Sequence, residues 1–159
     1  MAASKYNARD VEFEVENFAS PGTWVAIRTA QGGSGEGGIN TFSVGHEYET
    51  TDTTTFASEG RAESQNMQEG KTLTLEGFRL KDKVTGALDP GMALIEAQAA
   101  RLGEDSLVGF RFAAPGDTNW TVWPDAHFQL GDSGGGNNDK VAWACTVTRS
   151  GPETTAAKS

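Results

Sequence analysis

Residues 39–50 read INTFSVGHEYET and residues 70–80 read GKTLTLEGFRL. In the first, Phe42, Val44, His46 and Tyr48 alternate with smaller or polar residues; in the second, Leu73 and Leu75 alternate with Thr72, Thr74 and Glu76. A period of two marks a half-buried strand, so the pair predicts a long hairpin. Between them lies ETTDTTTFASEGRAESQNMQEG, with few apolar residues and no period. An unstructured stretch of about 20 residues is uncommon inside a compact domain, and this one has too little apolar surface to offset its own ordering. The reading is therefore a hairpin over residues 39–80 whose tip, a loop over residues 50–70, is ordered by something outside the chain.

The same alternation runs outward in both directions. In VEFEVE, Val11, Phe13 and Val15 face one way and Glu12, Glu14 and Glu16 the other, the glutamates reading as a solvated strand face rather than paired catalytic acids. TWVAIRT (residues 23–29), LVGFRFAA (107–114), NWTVWPDAHFQL (119–130, with Pro124 where it would break) and KVAWACTVTRS (140–150) read as further strands. One helix is predicted over residues 90–102: Asp89 is a fitting N-cap, Pro90 suits the first turn, Gly103 follows the last, and Met92, Ile95, Ala99 and Leu102 form one apolar stripe. The expected fold is mainly β, a β-sandwich or open barrel of two packed sheets with one flanking α-helix. It occupies residues 11–151, between an N-terminal arm (1–10) and a polar C-terminal tail (152–159).

Composition narrows the function. Twenty-two acidic against 13 basic residues give a net charge of −9 over 159 residues, which disfavours DNA wrapping or an anionic membrane as partner. No membrane binding is expected: there is no long apolar run, and MAASKYNARD lacks the apolar core of a signal peptide, so folding in a cytosol is expected. The single cysteine, Cys145, alternates with Val141, Trp143 and Val147 and reads as an inert core thiol; no metal and no cofactor are expected.

Two strings invite chemistry. GDSGG (residues 131–135) is the setting of a serine-protease nucleophile, but Ser133 needs a histidine and a carboxylate in place. His46 reads as a strand residue, and Ser133 runs on into GGGNNDK, a turn-forming cluster. Gly33, Gly35 and Gly38 have Gly-x-Gly-x-x-Gly spacing, but a strand pattern follows where a phosphate-binding helix would be needed. Both strings read as flexible connectors.

Taken in order, DVEFEV, ETTDTTTF, GKTLTLEG, the DPG helix start and GGGNNDKVAWACTVTRSG resemble the major tail tube protein of long-tailed bacteriophages, most of all the forms from phages of high-GC Gram-positive hosts. The resemblance covers residues 8–151. It implies two orthogonally packed sheets with a flanking helix. It also implies a structural virion protein, assembled in the host cytoplasm into stacked hexameric rings that form the tail conduit for DNA ejection. Its implied partners are further copies of itself, a tape-measure protein, tail terminator, completion and distal tail proteins, and genome DNA passing without specific binding. In that family the hairpin joins its neighbours around the lumen and its loop reaches the adjacent ring. Here those loop positions would be Asp52, Thr53, Thr54, Thr55, Phe56, Arg61 and Glu63. If the apolar rungs face the core, Ser43, Glu47, Glu49, Thr72, Thr74 and Glu76 face the lumen.

Two readings compete with the tube. A carbohydrate-binding or adhesion sandwich is suggested by Trp24, Trp120, Trp123 and Trp143, although three of these sit within strand alternation, where core packing is commoner. An enzyme built on GDSGG is the other.

Overall fold

The computed structural model describes residues 3–27, 38–81 and 84–158. Among the described residues, eight strands and one α-helix follow the chain: β1 (Glu12–Glu16), β2 (Trp24–Ile27), β3 (Ile39–Asp52), β4 (Ser64–Phe78), α1 (Pro90–Ala99), β5 (Val108–Ala113), β6 (Asn119–Leu130), β7 (Ala142–Arg149) and β8 (Thr154–Ala157). All adjacent strands are antiparallel, in the order β2-β1-β5-β6-β7-β4-β3, with β8 beside β6. The fold is mainly β with one helix, and its two layers are hydrogen-bonded to each other through β6.

That strand serves both layers in turn. Its first half pairs with β5 and β8, and its second half, from Ala126, with β7. The changeover falls at Pro124 and Asp125, which lie in a bulge between the Phe110–Trp123 and Val108–Ala126 pairs. Proline cannot donate to a ladder and is tolerated at a bulge, so Pro124 bends the strand without breaking it. The sheet doubles over here, bringing its two ends together: Phe13 of β1 meets Phe42 of β3 edge-on, with ring centres 5.2 Å apart.

The core between the layers is built from the alternating residues. Val11, Phe13, Val15, Leu73, Leu75, Phe110, Trp123, Phe128, Trp143, Cys145 and Val147 are all buried in one cluster. Burial pushes the Cys145 thiol up to about 12, as suits an inert core thiol. Helix α1 closes one end of the core with Met92 and Ile95. Asp89 caps it by accepting from the Met92 N–H at 3.4 Å. The helix is shorter than predicted: its end tightens into i→i−3 bonds, Ala100 to Ala97 and Arg101 to Gln98. Leu102 is therefore exposed and off the stripe. Buried Gln98 instead holds the next turn through a 2.7 Å bond to the Asp105 carbonyl.

Three further expectations are corrected. The loop over 50–70 is shorter, because β3 runs to Asp52 and β4 begins at Ser64. Apolar content is low there because the hairpin arm projects beyond the core. The polar tail at 152–159 contains β8, which takes the side of β6 that β7 leaves vacant. The glutamates of β1 are not merely solvated: Arg111 binds Glu14 at 2.8 Å, and Lys158 binds Glu12 at 3.0 Å. The Gly-rich stretch at 31–37 and the end of the predicted strand at 28–29 lie outside the described residues.

At the hairpin root, a Cβ on Gly77 would stand 2.0 Å from the Gly38 carbonyl oxygen and 2.7 Å from the Ile39 Cα. Backbone cannot move aside as a flexible side chain can, so Gly77→Ala should cost about 1–3 kcal/mol. The expected result is a melting temperature lowered by about 3–10 °C, read by differential scanning calorimetry.

Candidate assembly surface

Paired residues on neighbouring strands share a face, so between the two irregularities of the β3–β4 pair, at Ile39/Thr41 and Glu49/Thr50, the register sorts the β6-β7-β4-β3 layer. One face carries Phe42, Val44, Leu73, Leu75, Cys145, Val147 and Phe128 into the core. On the other, Ser43 pairs with Thr74, Gly45 with Thr72, Glu47 with Gly70, Glu49 with Gln68 and Thr41 with Glu76. All six residues expected on the lumen side, Ser43, Glu47, Glu49, Thr72, Thr74 and Glu76, therefore fall on this one polar face. The layer extends it with Thr146 and Thr148 of β7 and His127 and Gln129 of β6. These four were missed by the hairpin reading, although the Val147 and Cys145 alternation in CTVTR already marks both threonines. Among the described residues of the four strands, this face carries Glu47, Glu49 and Glu76 and no Lys or Arg.

The hairpin tip gathers Asp52, Thr53, Thr54, Thr55, Phe56, Arg61 and Glu63 into one small structure. Thr53 N–H donates to the Glu63 carbonyl, the Glu63 N–H donates to Thr54 Oγ1, and that hydroxyl bonds back to the Glu63 carbonyl. Thr54 N–H also donates to Asp52 Oδ1 at 2.9 Å. A one-turn 3-10 helix, Phe56–Ser58, is closed by Ser58 N–H on the Thr55 carbonyl and Thr55 N–H on Ser58 Oγ. Glu59 and Gly60 then turn the chain with φ of 55° and 78°. The tip is ordered within a single chain by these polar bonds, which correct the expectation that only a partner could order it. Short Thr and Ser side chains satisfy the turn's backbone, a route that counting apolar residues overlooks. Phe56 is held fully exposed on this mount.

Where the hairpin leaves the body, an ion network pins it. Arg149 reaches the carboxylate and carbonyl of Glu69, and Lys71 binds Glu153 at 3.1 Å. Trp123 Nε1 donates to the same Glu153 at 2.9 Å. Partial burial works to raise the Glu153 carboxyl, but the bonds from Trp123 and Lys71 and the charges of Lys71 and Arg149 outweigh it and hold the group below the usual glutamate range.

The chemistry suggested by the two motifs finds no support in the geometry. Gly134, beside Ser133, is bridged to Ala142, which lies opposite Phe78 on β4; His46 lies opposite Lys71, seven residues away on β4. That separation is about 23 Å. His127 lies opposite Thr148, six residues from Ala142 along β7, or about 20 Å. Neither imidazole reaches Ser133. Gly38 leads straight into β3 rather than into a helix. Among the described residues, no cluster of three or more His, Cys, Asp or Glu could hold a metal ion, and no helix is long and apolar enough to cross a membrane.

The tryptophans are likewise engaged. Trp123 and Trp143 lie in the core. On the outer face the Arg111 guanidinium sits 4.3 Å from the ring centre of Trp24 and 4.5 Å from that of Trp120, and Lys158 also covers Trp120. Cation–π packing of this kind occupies ring faces that a sugar would need.

No protein-family model matches the chain, and no curated protein matches it in sequence. Its fold is similar to that of several solved chains. One comes from the tail of an empty gene transfer agent (GTA) particle computed with helical refinement and C6 symmetry, with a TM-score of 0.65 and 18% identity over 96% of this chain and 100% of that one. Another is from the six-fold symmetrised baseplate of the anti-feeding prophage, with a TM-score of 0.60 and 13% identity over 98% of both chains. A third is from the sheath–tube complex of an extracellular contractile injection system, with a TM-score of 0.57 and 10% identity over 97% of this chain and 93% of that one.

The Glu153 network gives a pH-dependent expectation. A carboxyl held low when folded contributes stability above its unfolded value and loses it as pH falls through the folded one. Glu153→Gln should lower stability at neutral pH by about 1 kcal/mol, since the pair is only partly buried. It should also flatten the decline in stability below about pH 4.3, measured by urea titration across pH 3–7. An unchanged acid slope would place the linkage elsewhere.

Proposed function

We propose that this chain is a tail tube protein: copies close into hexameric rings, the rings stack, and the polar face of the β6-β7-β4-β3 layer lines a channel through which DNA passes. The observation that carries the reading is that layer's shape and chemistry. Among the described residues it has an open strand edge on each side. One edge is β3; the other is β6 beyond Ala126, where β5 no longer pairs. With four strands alternating in direction, β3 of one copy meets β6 of the next antiparallel, so copies in one orientation continue the same ladder. Exposed edges are an association hazard that closure removes, and a head-to-tail contact of this kind forms a ring when its rotation closes. The likeness to a chain from a C6 tail supports six copies.

The lining follows from the register. Threonine, serine and glycine with three glutamates give a surface that hydrogen-bonds water and repels phosphate, so DNA is not retained. The projecting tip, with Asp52, Thr53, Thr54, Thr55, Phe56, Arg61 and Glu63, contacts the adjacent ring. The reading carries with it a place in a virion tail and, as partners, a tape-measure protein along the channel and terminator, completion and distal tail proteins at the ends. A non-enzymatic role accords with the separation of Ser133 from both histidines.

Electron microscopy of concentrated protein should reveal hollow tubes with six-fold end views. A variant with residues 53–63 replaced by a two-residue Asn-Gly turn should keep the body folded but yield no tubes. A parent that remains monomeric at all concentrations would overturn the reading. The lining is tested separately with Thr74→Cys and Glu12→Cys. A PEG-maleimide of about 5 kDa should modify both in dissociated protein but only Glu12→Cys in tubes, a loss of labelling at Thr74→Cys of tenfold or more. Equal labelling in tubes would turn the layer outward.

A further inference from the structure

We propose that copies join around the ring with a stagger of four residues, which sets His127 of one copy opposite Glu49 of the next and Gln129 opposite Glu47. The inference rests on the tube reading and fixes the register of its β6–β3 joint.

The hand of the joint follows from chain chirality. For an L-residue in a strand running upward, a side chain aimed at the viewer leaves N–H and C=O pointing right. On the polar face Ala144 pairs with Glu76, and its carbonyl accepts from the Gly131 N–H at the end of β6. Seen from that face with β7 upward, β6 lies to the right and β4 and β3 to the left, with β3 also running upward. Closing a sheet into a barrel tilts its strands, and their right-handed twist gives the tilt one hand. From the channel the strands lean up to the left, so the rungs across them climb to the right.

The rung through His127 runs to Thr148, Thr72 and Gly45. Carried rightward into the next copy, it meets β3 above Gly45, in the direction of Glu47 and Glu49. Four strands span about 19 Å, and a tilt of about 35° turns that width into about 13 Å along the strand, or about four residues. An even number keeps the polar side chains on one face.

Charge selects the same number. Asp125 is exposed, and Ser150 N–H donates to its carbonyl, which places it on the rung that Glu47 and Gly70 begin. A flat joint would put Asp125 against Glu47, and a stagger of two would put it against Glu49; like charges directly opposite are destabilising. A stagger of four carries Asp125 past both, to Thr51, and gives each carboxylate a donor. Within its own copy His127 faces Thr148, and among the described residues no Lys or Arg shares this face to compete for the glutamates. On the core side the same register sets Tyr48 opposite Phe128 and His46 opposite Leu130. Tyr48 and Leu130 are 56% and 45% exposed in the single chain, so the joint covers two large side chains that the chain alone leaves in water.

Disulfide trapping reads the stagger, because residues directly opposite lie about 5 Å apart at Cα, within disulfide reach, and residues two positions along do not. Cys145 is buried and stays out of the background. Full-length assembled protein carrying His127→Cys/Glu49→Cys or Gln129→Cys/Glu47→Cys should, on oxidation, give ladders reaching six copies on non-reducing gels. His127→Cys/Glu47→Cys reports a stagger of two, Gln129→Cys/Ser43→Cys a flat joint, and His127→Cys/Thr41→Cys the opposite hand; each should link at least tenfold less. A dominant link in any of these three overturns the proposal, as do assembled rings in which no pair links. His127→Glu should keep the parent's melting temperature but form rings at least tenfold less, and adding Glu49→His should restore them. Rings of His127→Glu at parental levels, or no recovery in the double variant, would likewise overturn it. Parent protein that forms no rings defeats the tube reading itself, whereas rings linked through another pair leave that reading intact.

Discussion

Strand β6 belongs to two layers at once, and the rest of the molecule depends on that sharing. Its first half is paired with β5 and β8 and its second with β7, with the Pro124–Asp125 bulge between. Were β6 straight, β1 and β3 would be remote edges of one open sheet, each with an apolar face in water. Bent, it brings Phe13 against Phe42 and encloses Phe110, Trp123 and Phe128 among them. The hydrophobic gain of burying these rings is what holds the bend.

The bend also divides the surface. The outer layer satisfies itself: Arg111 lies between Trp24 and Trp120 and pairs with Glu14, and Lys158 ties β8 to both Trp120 and Glu12. Among the described residues, the β6-β7-β4-β3 layer leaves the edges of β3 and of β6 beyond Ala126 unpaired. In the proposed assembly, this asymmetry leaves the finished surface facing solvent and the unfinished one completed by further copies. The Glu69–Arg149 and Lys71–Glu153 pairs sit where the arm departs, so its direction is fixed by the body.

Much of this was legible in the sequence. Strict alternation in INTFSVGHEYET, TLTLEG and WACTVTR identified the strands, and the polar face followed from the same rungs, since a period of two leaves only one choice of partner face. The Asp-Pro-Gly start of α1 was equally plain. The tip was misread because its order comes from hydrogen bonds of Thr54, Thr55 and Ser58 to backbone, and such bonds leave no hydrophobic period. Strand β8 was misread because its four side chains are all exposed; it exists because β6 has an edge to offer.

Local pattern alone thus determined strands β1 to β7, the single helix, the inert Cys145 and which side chains of the hairpin share a face, because each depends on neighbours within a few residues. Tertiary structure decided the strand order, the doubling at β6, the open edges, and the engagement of Glu14 and the tryptophans. Those features join residues far apart in the chain, as in Glu14 with Arg111 and Leu75 with Cys145. Such pairings are settled only when the whole core closes, since the same alternating strand can pair equally well with many partners until packing selects one.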